Sequence, residues 1–173
     1  RTGPAAHTHA VSTVPAWAAA HLDDGMIQEN LGCGPCTTTV AALDAPCGRV
    51  MGDVSSGFIV NLLELWKWTG DKELRDEIWP AARRAAAWQM NVSANALALP
   101  RGLIDTYDML HNEQYNFTIY SSMFHLLAMR AASVLARDVG DDLFATRCDD
   151  AAAKARDAVE DVFWDTRAGF YRA

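Results

Sequence analysis

From position 54 onward the apolar residues recur with a helical period, and they do so in two contrasting ways. Over Val54–Thr69 they sit on nearly every side of the predicted helix, at Phe58, Ile59, Leu62, Leu63, Leu65, Trp66 and Trp68. The same holds over Phe117–Val139, at Phe117, Tyr120, Met123, Phe124, Leu127, Ala131 and Val134. A helix that is apolar all round is enclosed on most sides. In the segments that follow, to about Asn91 and about Trp164, only one face is apolar. It carries Leu74, Ile78, Ala81, Ala85 and Trp88 in one case, and Phe144, Cys148, Ala151, Ala155 and Val162 in the other. Arg, Lys, Asp and Glu fill the opposite face, so these helices have a solvent side.

Each enclosed helix is joined to its half-wet successor by Gly-Asp, at Gly70-Asp71 and again at Gly140-Asp141, 70 residues later. Glycine supplies the positive φ that ends a helix, and the aspartate caps the next one. The chain therefore repeats an αα-hairpin. Pro80 fits a first-turn position or a kink between two shorter helices. Residues 1–53, rich in Gly, Pro, Thr, Asp and Ala, predict a loop-rich lead-in with one short helix around Ala16–Leu22. Residues 92–116 connect the two hairpins of 54–173.

Alternation of an inner, enclosed helix with an outer, half-wet one is what a two-layer helical toroid requires. A plain antiparallel bundle would make all its helices similarly amphipathic. The pattern thus predicts an all-α fold built of (α/α)6-toroid-type helical hairpins. A closed ring of roughly twelve helices, at about 12–15 residues each with about 5-residue loops, needs well over two hundred residues. The 173 residues are expected to form an incomplete ring.

Composition narrows the function classes. Half of the residues are hydrophobic, enough for one cored domain and too few residues for two. A net charge of −7 argues against nucleic acid, which binds through basic patches that release counterions. No run approaches the roughly 20 uninterrupted apolar residues of a membrane span; the segment Leu62–Trp68 is broken by Glu64 and Lys67. The expectation is no integral membrane segment and a soluble chain, cytoplasmic or peripheral, with the compartment itself left open. The chain opens on Arg1 without the basic and apolar regions of a signal peptide, and so reads as a cut end.

Four cysteines are too sparse for a disulfide scaffold. Cys33-Gly34-Pro35-Cys36 reproduces a redox dithiol motif, but no strand precedes it and no βαβ pattern exists elsewhere. A zinc site from Cys33, Cys36, Cys47 and one of His7, His9 or His21 lacks a matched second pair. Neither a metal nor a cofactor is expected. Two glycosylation sequons begin at Asn91 and Asn116.

The candidate chemistry lies in Gly102–Met109, in the connection that leads into the second enclosed helix. Asp105 and Asp108 are compatible with ordinary solvated loop acids. Around them, however, Tyr107, His111 and Tyr115 supply the flat, hydrogen-bonding surfaces that line sugar sites. His111 and Glu113 lie close enough in sequence to share a site with Asp108, although loop polarity explains them equally well.

Asp105-Thr106-Tyr107-Asp108, followed by Ile119-Tyr120-Ser121-Ser122-Met123-Phe124-His125-Leu126-Leu127-Ala128-Met129-Arg130, resembles the catalytic domain of glycoside hydrolase family 116. That family comprises the non-lysosomal glucosylceramidases and bacterial β-glucosidases. Its pattern runs Asp-Gln-Thr-Tyr-Asp, a short loop, then Tyr-Cys-Gly-Gly-Leu-Trp-Leu-Ala-Ala-Leu-Arg. Asp53–Asp71 is similar to the family's helix ending in Thr-Gly-Asp, and Phe163-Trp164-Asp165 with Phe170-Tyr171 continues the likeness, so that about 25–173 is covered.

The resemblance implies that Asp108 is the general acid and base and that Thr106 contacts the sugar. It also implies that Glu29 and Asn30, in Ile27-Gln28-Glu29-Asn30-Leu31-Gly32, stand where the family has the His-Asp pair that grips glucose hydroxyls. The family is retaining and needs a second carboxylate about 5 Å from the acid. Its nucleophile lies before the matched region, which leaves it outside this chain, in the rest of the parent catalytic domain.

An Asp acting as acid must be raised from its ordinary value near ~3.9; without the nucleophile's charge Asp108 is expected to be largely ionised, and the chain alone inactive. The implied substrate is a β-glycoside. The competing reading is a noncatalytic helical module that binds sugar or protein. Elsewhere, Glu64 fits a narrow polar seam, His125 a satisfied core histidine, and Trp66, Trp68, Trp79 and Trp88 fit packing at helical spacing.

Overall fold

Both Gly-Asp junctions form the turns their residues predict. Gly70 takes φ 65° and its N–H reaches the carbonyl of Trp66 at 2.9 Å; Gly140 takes φ 81°. The aspartates then cap the following helices: the Asp71 carboxylate accepts from Leu74 N at 3.0 Å, and that of Asp141 from Phe144 N at 3.2 Å. In the computed structural model, which describes residues 14–19, 24–27, 51–101 and 117–172, these turns join two helical hairpins. A short helix α1 (14–19) precedes α2 (Gly52–Thr69), α3 (Lys72–Val92), α4 (Ile119–Asp138) and α5 (Asp142–Phe163). A two-stranded ribbon follows, with β1 (Trp164–Asp165) antiparallel to β2 (Phe170–Tyr171) in the register Trp164 opposite Tyr171.

The expected boundaries hold to within about two residues, the usual scatter at helix ends. Pro80 differs from expectation. It neither opens a helix nor divides one, because α3 continues through it as one element. The predicted short helix is present over 14–19, and residues 20–22 of the expected span lie outside the described residues.

The inner layer is the pair α2 and α4. Tyr120 at the start of α4 donates to Asp53 at the start of α2, and Trp66 near the end of α2 donates to Asp138 at the end of α4. The two helices are therefore parallel, with their N-terminal ends together. Phe58, Ile59, Leu62 and Leu63 of α2 and Ala128, Met129, Ala132, Leu135 and Ala136 of α4 belong to one buried core. Each fully buried Leu, Ile, Phe or Met side chain contributes about 1.5–3 kcal/mol relative to exposure.

The outer helices α3 and α5 lie behind them and meet only near the start of α5. Trp79 meets Phe144 edge to face at 6.0 Å, and Arg83 bridges to Asp141 at 2.8 Å while lying over the Phe144 ring. The buried faces of α3 and α5 contain Ile78, Ala81, Ala85 and Trp88, and Phe144, Cys148 and Ala155, as the amphipathic pattern requires. The fold is all-α, of the toroid hairpin type.

Two departures concern the inner layer. Tyr120, Met123, Leu127 and Val134, one stripe along α4, are exposed, and so is Trp68 at 71%. Among the described residues no helix covers that stripe, so enclosure on every side is not complete here. α4 also has the length and mean hydropathy of a membrane span, yet 56% of its apolar window is buried inside the fold. It is the core helix of the hairpin pair.

Candidate sugar site at the mouth of the inner helices

The end of the fold where α2 and α4 begin gathers several polar groups that helix formation leaves over. The first turn of α2 starts at Met51, whose side chain makes no capping bond, and brings Asp53 to the surface of the mouth. Asp53 is half-buried. Its Oδ2 accepts from Tyr120 Oη at 2.8 Å, whereas its Oδ1 is buried and has no partner among the described residues. A buried acceptor left without a donor costs roughly 1–3 kcal/mol, so this oxygen calls for a donor from beyond the described residues. Tyr120 is held by the Phe124 ring at 4.9 Å.

Backbone contacts fix the rest of the mouth. Thr118 caps α4, accepting from Ser121 N at 3.3 Å. Ser55 on α2 accepts from Ile27 N at 2.9 Å, which docks the segment 24–27 here, and Gly25 supports it with φ 97°. A Cβ at Gly25 would stand 2.4 Å from the carbonyl oxygen of Arg84. Behind Asp53, the Gln89 amide donates to Gly52 O at 3.0 Å and presents its other end to His125 Nδ1 at 3.4 Å.

Glu29, Asn30, Thr106, Asp108 and His111 lie outside the described residues, as do Asp105, Tyr107, Glu113, Tyr115 and the cysteines of the Cys33–Cys47 stretch. What the structure describes is where their neighbours in sequence stand. Leu99 and Phe117, on either side of the connection that carries Asp108, belong to one cluster with Ile119, Ala155, Val159 and Phe163, at the start of α4 and the end of α5. Ile27, two residues before Glu29, is tied to Ser55. The flanks of the Asp108 connection thus pack at the start of α4, near Tyr120, and the flank of the Glu29 segment is tied to the first turn of α2, near Asp53.

Other expectations fall out as follows. Glu64 is on an exposed seam of α2, paired with Lys67 at 3.0 Å. Trp79 and Trp88 are buried packing residues and Trp66 is half-buried. Trp68 is not a packing residue; it sits in the last turn of α2, about 22 Å along the helix from Asp53 at ~1.5 Å per residue, on the side that no described element covers. His125 is a core histidine at 0% exposure, and among the described residues only its Nδ1 has a partner. Burial lowers its pKa from 6.5 to about 4, so the ring is neutral at ordinary pH. Cys148 is free and buried, and desolvation raises its thiol to about 12.

Asp53 and Tyr120 escaped the reading of the sequence. An acid in the first turn of a helix is routine dipole compensation, and the tyrosine counted as one more apolar position. The available signal was the pairing of an acid and a hydroxylated aromatic at the starts of two consecutive enclosed helices.

No family model matches the chain, and no curated protein matches it. The fold does match solved structures. A rhamnosidase from Klebsiella oxytoca with rhamnose bound superimposes with a TM-score of 0.70 at 20% identity, over 96% of this chain and 31% of that one. A GH78 family rhamnosidase of Bacillus sp. GL1 gives 0.62 at 21% identity, over 75% of this chain and 14% of that one. The chain thus spans less than a third of the length of either protein. The likeness shows the fold; that both are rhamnosidases gives no support to family 116 or to the β-glucosidase type, which rest on the quoted motifs alone.

Proposed function

We propose that the chain is part of the catalytic domain of an O-glycosyl hydrolase, with its sugar site at the shared N-terminal ends of α2 and α4. The observation that carries this reading is the half-buried Asp53 carboxylate, one oxygen held by Tyr120 and the other without a donor, at the end where the flanks of the Asp108 connection meet. The likeness to two rhamnosidases supports the same reading. In it, Asp108 protonates the departing oxygen and Asp53 accepts a hydrogen bond from a sugar hydroxyl. Thr106, Glu29, Asn30 and His111 complete the grip on the sugar. A second carboxylate from the remainder of the domain serves as nucleophile, and bond cleavage passes through an oxocarbenium-like state between the two acids.

The motifs favour a β-glucoside as substrate. The rhamnose-bound likeness favours a rhamnoside as the second reading. The chain joined to its natural flanking sequence, assayed on aryl β-glucosides and on aryl rhamnosides of both anomers, separates them. The expected result is turnover of one class, lost by a factor of about 100 or more in Asp108→Asn, the scale of a general acid. Equal turnover by both proteins removes Asp108 from the mechanism. No turnover of any aryl glycoside, with sugar binding retained, leaves a noncatalytic binding module.

A further inference from the structure

Behind the mouth, on the outer side of the fold, a cleft of about 410 Å³ opens between α3 and α5, with α4 as its floor. This is within the range of small-ligand pockets, about 300–1,000 Å³. One wall is the stripe Arg147, Asp150 and Lys154 of α5, at helical spacing; the other is the end of α3 with Ser93 and Asn95. His125 lies at the bottom. None of the three charged residues takes part in an ion pair among the described residues; Arg147 lies over the Phe144 ring at 5.6 Å and within the field of Asp141. Ser93 and Asn95 spend their donors on the backbone: Ser93 Oγ on Gln89 O and Met90 O, Asn95 Nδ2 on Leu99 O.

The floor has a definite polarity. Because Gln89 Nε2 donates to Gly52 O, its Oε1 faces His125 and can only accept. Nδ1 must therefore carry the ring proton, which leaves Nε2 a bare lone pair, buried and without a donor among the described residues. A hydroxyl that reaches Nε2 would pair it, and a negative group in the cleft would meet Arg147 and Lys154, with Asp150 open to a further hydroxyl.

We propose that this cleft binds a small polyhydroxylated anion, a sugar ring bearing a carboxylate or a phosphate. The site is separate from the sugar site at the mouth, and it stands whether or not that reading holds. Arg147 and Lys154 hold the anion by charge-assisted bonds, and His125 reads a ring hydroxyl.

The test is an NMR titration of the whole chain with glucuronate, glucose 6-phosphate, glucose, rhamnose and inorganic phosphate, following the His125 ring nitrogens. Glucuronate or glucose 6-phosphate should bind at millimolar concentration or below and move the Nε2 resonance toward that of a hydrogen-bonded acceptor. The Arg147→Gln/Lys154→Gln double variant, with both changes at exposed positions, should keep its melting temperature and bind at least roughly tenfold more weakly, the loss expected of two charge-assisted contacts. His125→Asn should weaken the sugar anions and leave any residual phosphate binding unchanged. Whichever of the two sugar anions binds more tightly identifies the anionic group. Neutral sugars binding as well as the anions, inorganic phosphate binding as well as glucose 6-phosphate, or an Nε2 resonance that none of the probes moves would each overturn the proposal.

Discussion

Acid should destabilise this protein through His125 before it does so through Asp141, Asp149 or Asp165. The ring is fully enclosed, with Gln89 on its Nδ1, and burial lowers its pKa from 6.5 to about 4. In the unfolded chain it protonates near ~6.5. The folded value is the lower of the two, so the stability at stake is fully present above pH 6.5 and is lost as pH falls toward 4. Over that window the unfolded state binds one more proton than the native state, and stability drops by about 1.4 kcal/mol per pH unit. Between pH 7.5 and 4.5 the loss sums to roughly 2–3 kcal/mol, a sizeable share of a domain's typical 5–15 kcal/mol. The charged groups that line the same cleft as the ring are Arg147, Asp150 and Lys154, and the carboxylate among them is exposed.

Urea unfolding followed by circular dichroism at both pH values checks this, with His125→Asn as the comparison. Asparagine keeps a donor toward Gln89 and cannot titrate. The variant starts less stable because of the ring volume it loses, but its stability should fall by about 2–3 kcal/mol less on acidification. Aspartates 141, 149 and 165 have their pKa values held down, by Arg83, by Arg137 and by the Ala168 amide respectively, so they protonate below this window. Parallel pH curves for wild type and variant would refute the assignment of the acid sensitivity to this ring.

Two further outcomes follow from local geometry. Gly25→Ala places a methyl 2.4 Å from the Arg84 carbonyl at φ 97°, which should cost about 2–4 kcal/mol and release the Ile27 amide from Ser55; hydrogen exchange at Ile27 as slow as in wild type would contradict it. Cys148, buried with its thiol raised to about 12, should resist iodoacetamide at pH 8 in the native protein and react in urea. Peptide mapping separates it from Cys33, Cys36 and Cys47, and native labelling of Cys148 would be the failing result.

What the sequence disclosed was set by the range of the forces involved. The Gly70-Asp71 and Gly140-Asp141 turns were legible because a positive φ and a side-chain cap are satisfied within four residues. The division into enclosed and half-wet helices was legible because periodicity reports burial. Neither signal tells which helix faces which, and the site depends on that. Asp53 meets Tyr120 across 67 residues, and His125 meets Gln89 across 36.

The two cases share a physical form. Each is a buried polar atom whose near side is satisfied and whose far side is not, Asp53 Oδ1 at the mouth and His125 Nε2 in the outer cleft. Buried polar groups are nearly always paired, so an orphan among the described residues points to a donor beyond them, from the rest of the chain or from a ligand. At the mouth and in the cleft alike, the missing partner is a hydrogen-bond donor. Both proposals give that role to a sugar hydroxyl, whereas a nucleic acid would bring negative charge to a chain of net charge −7.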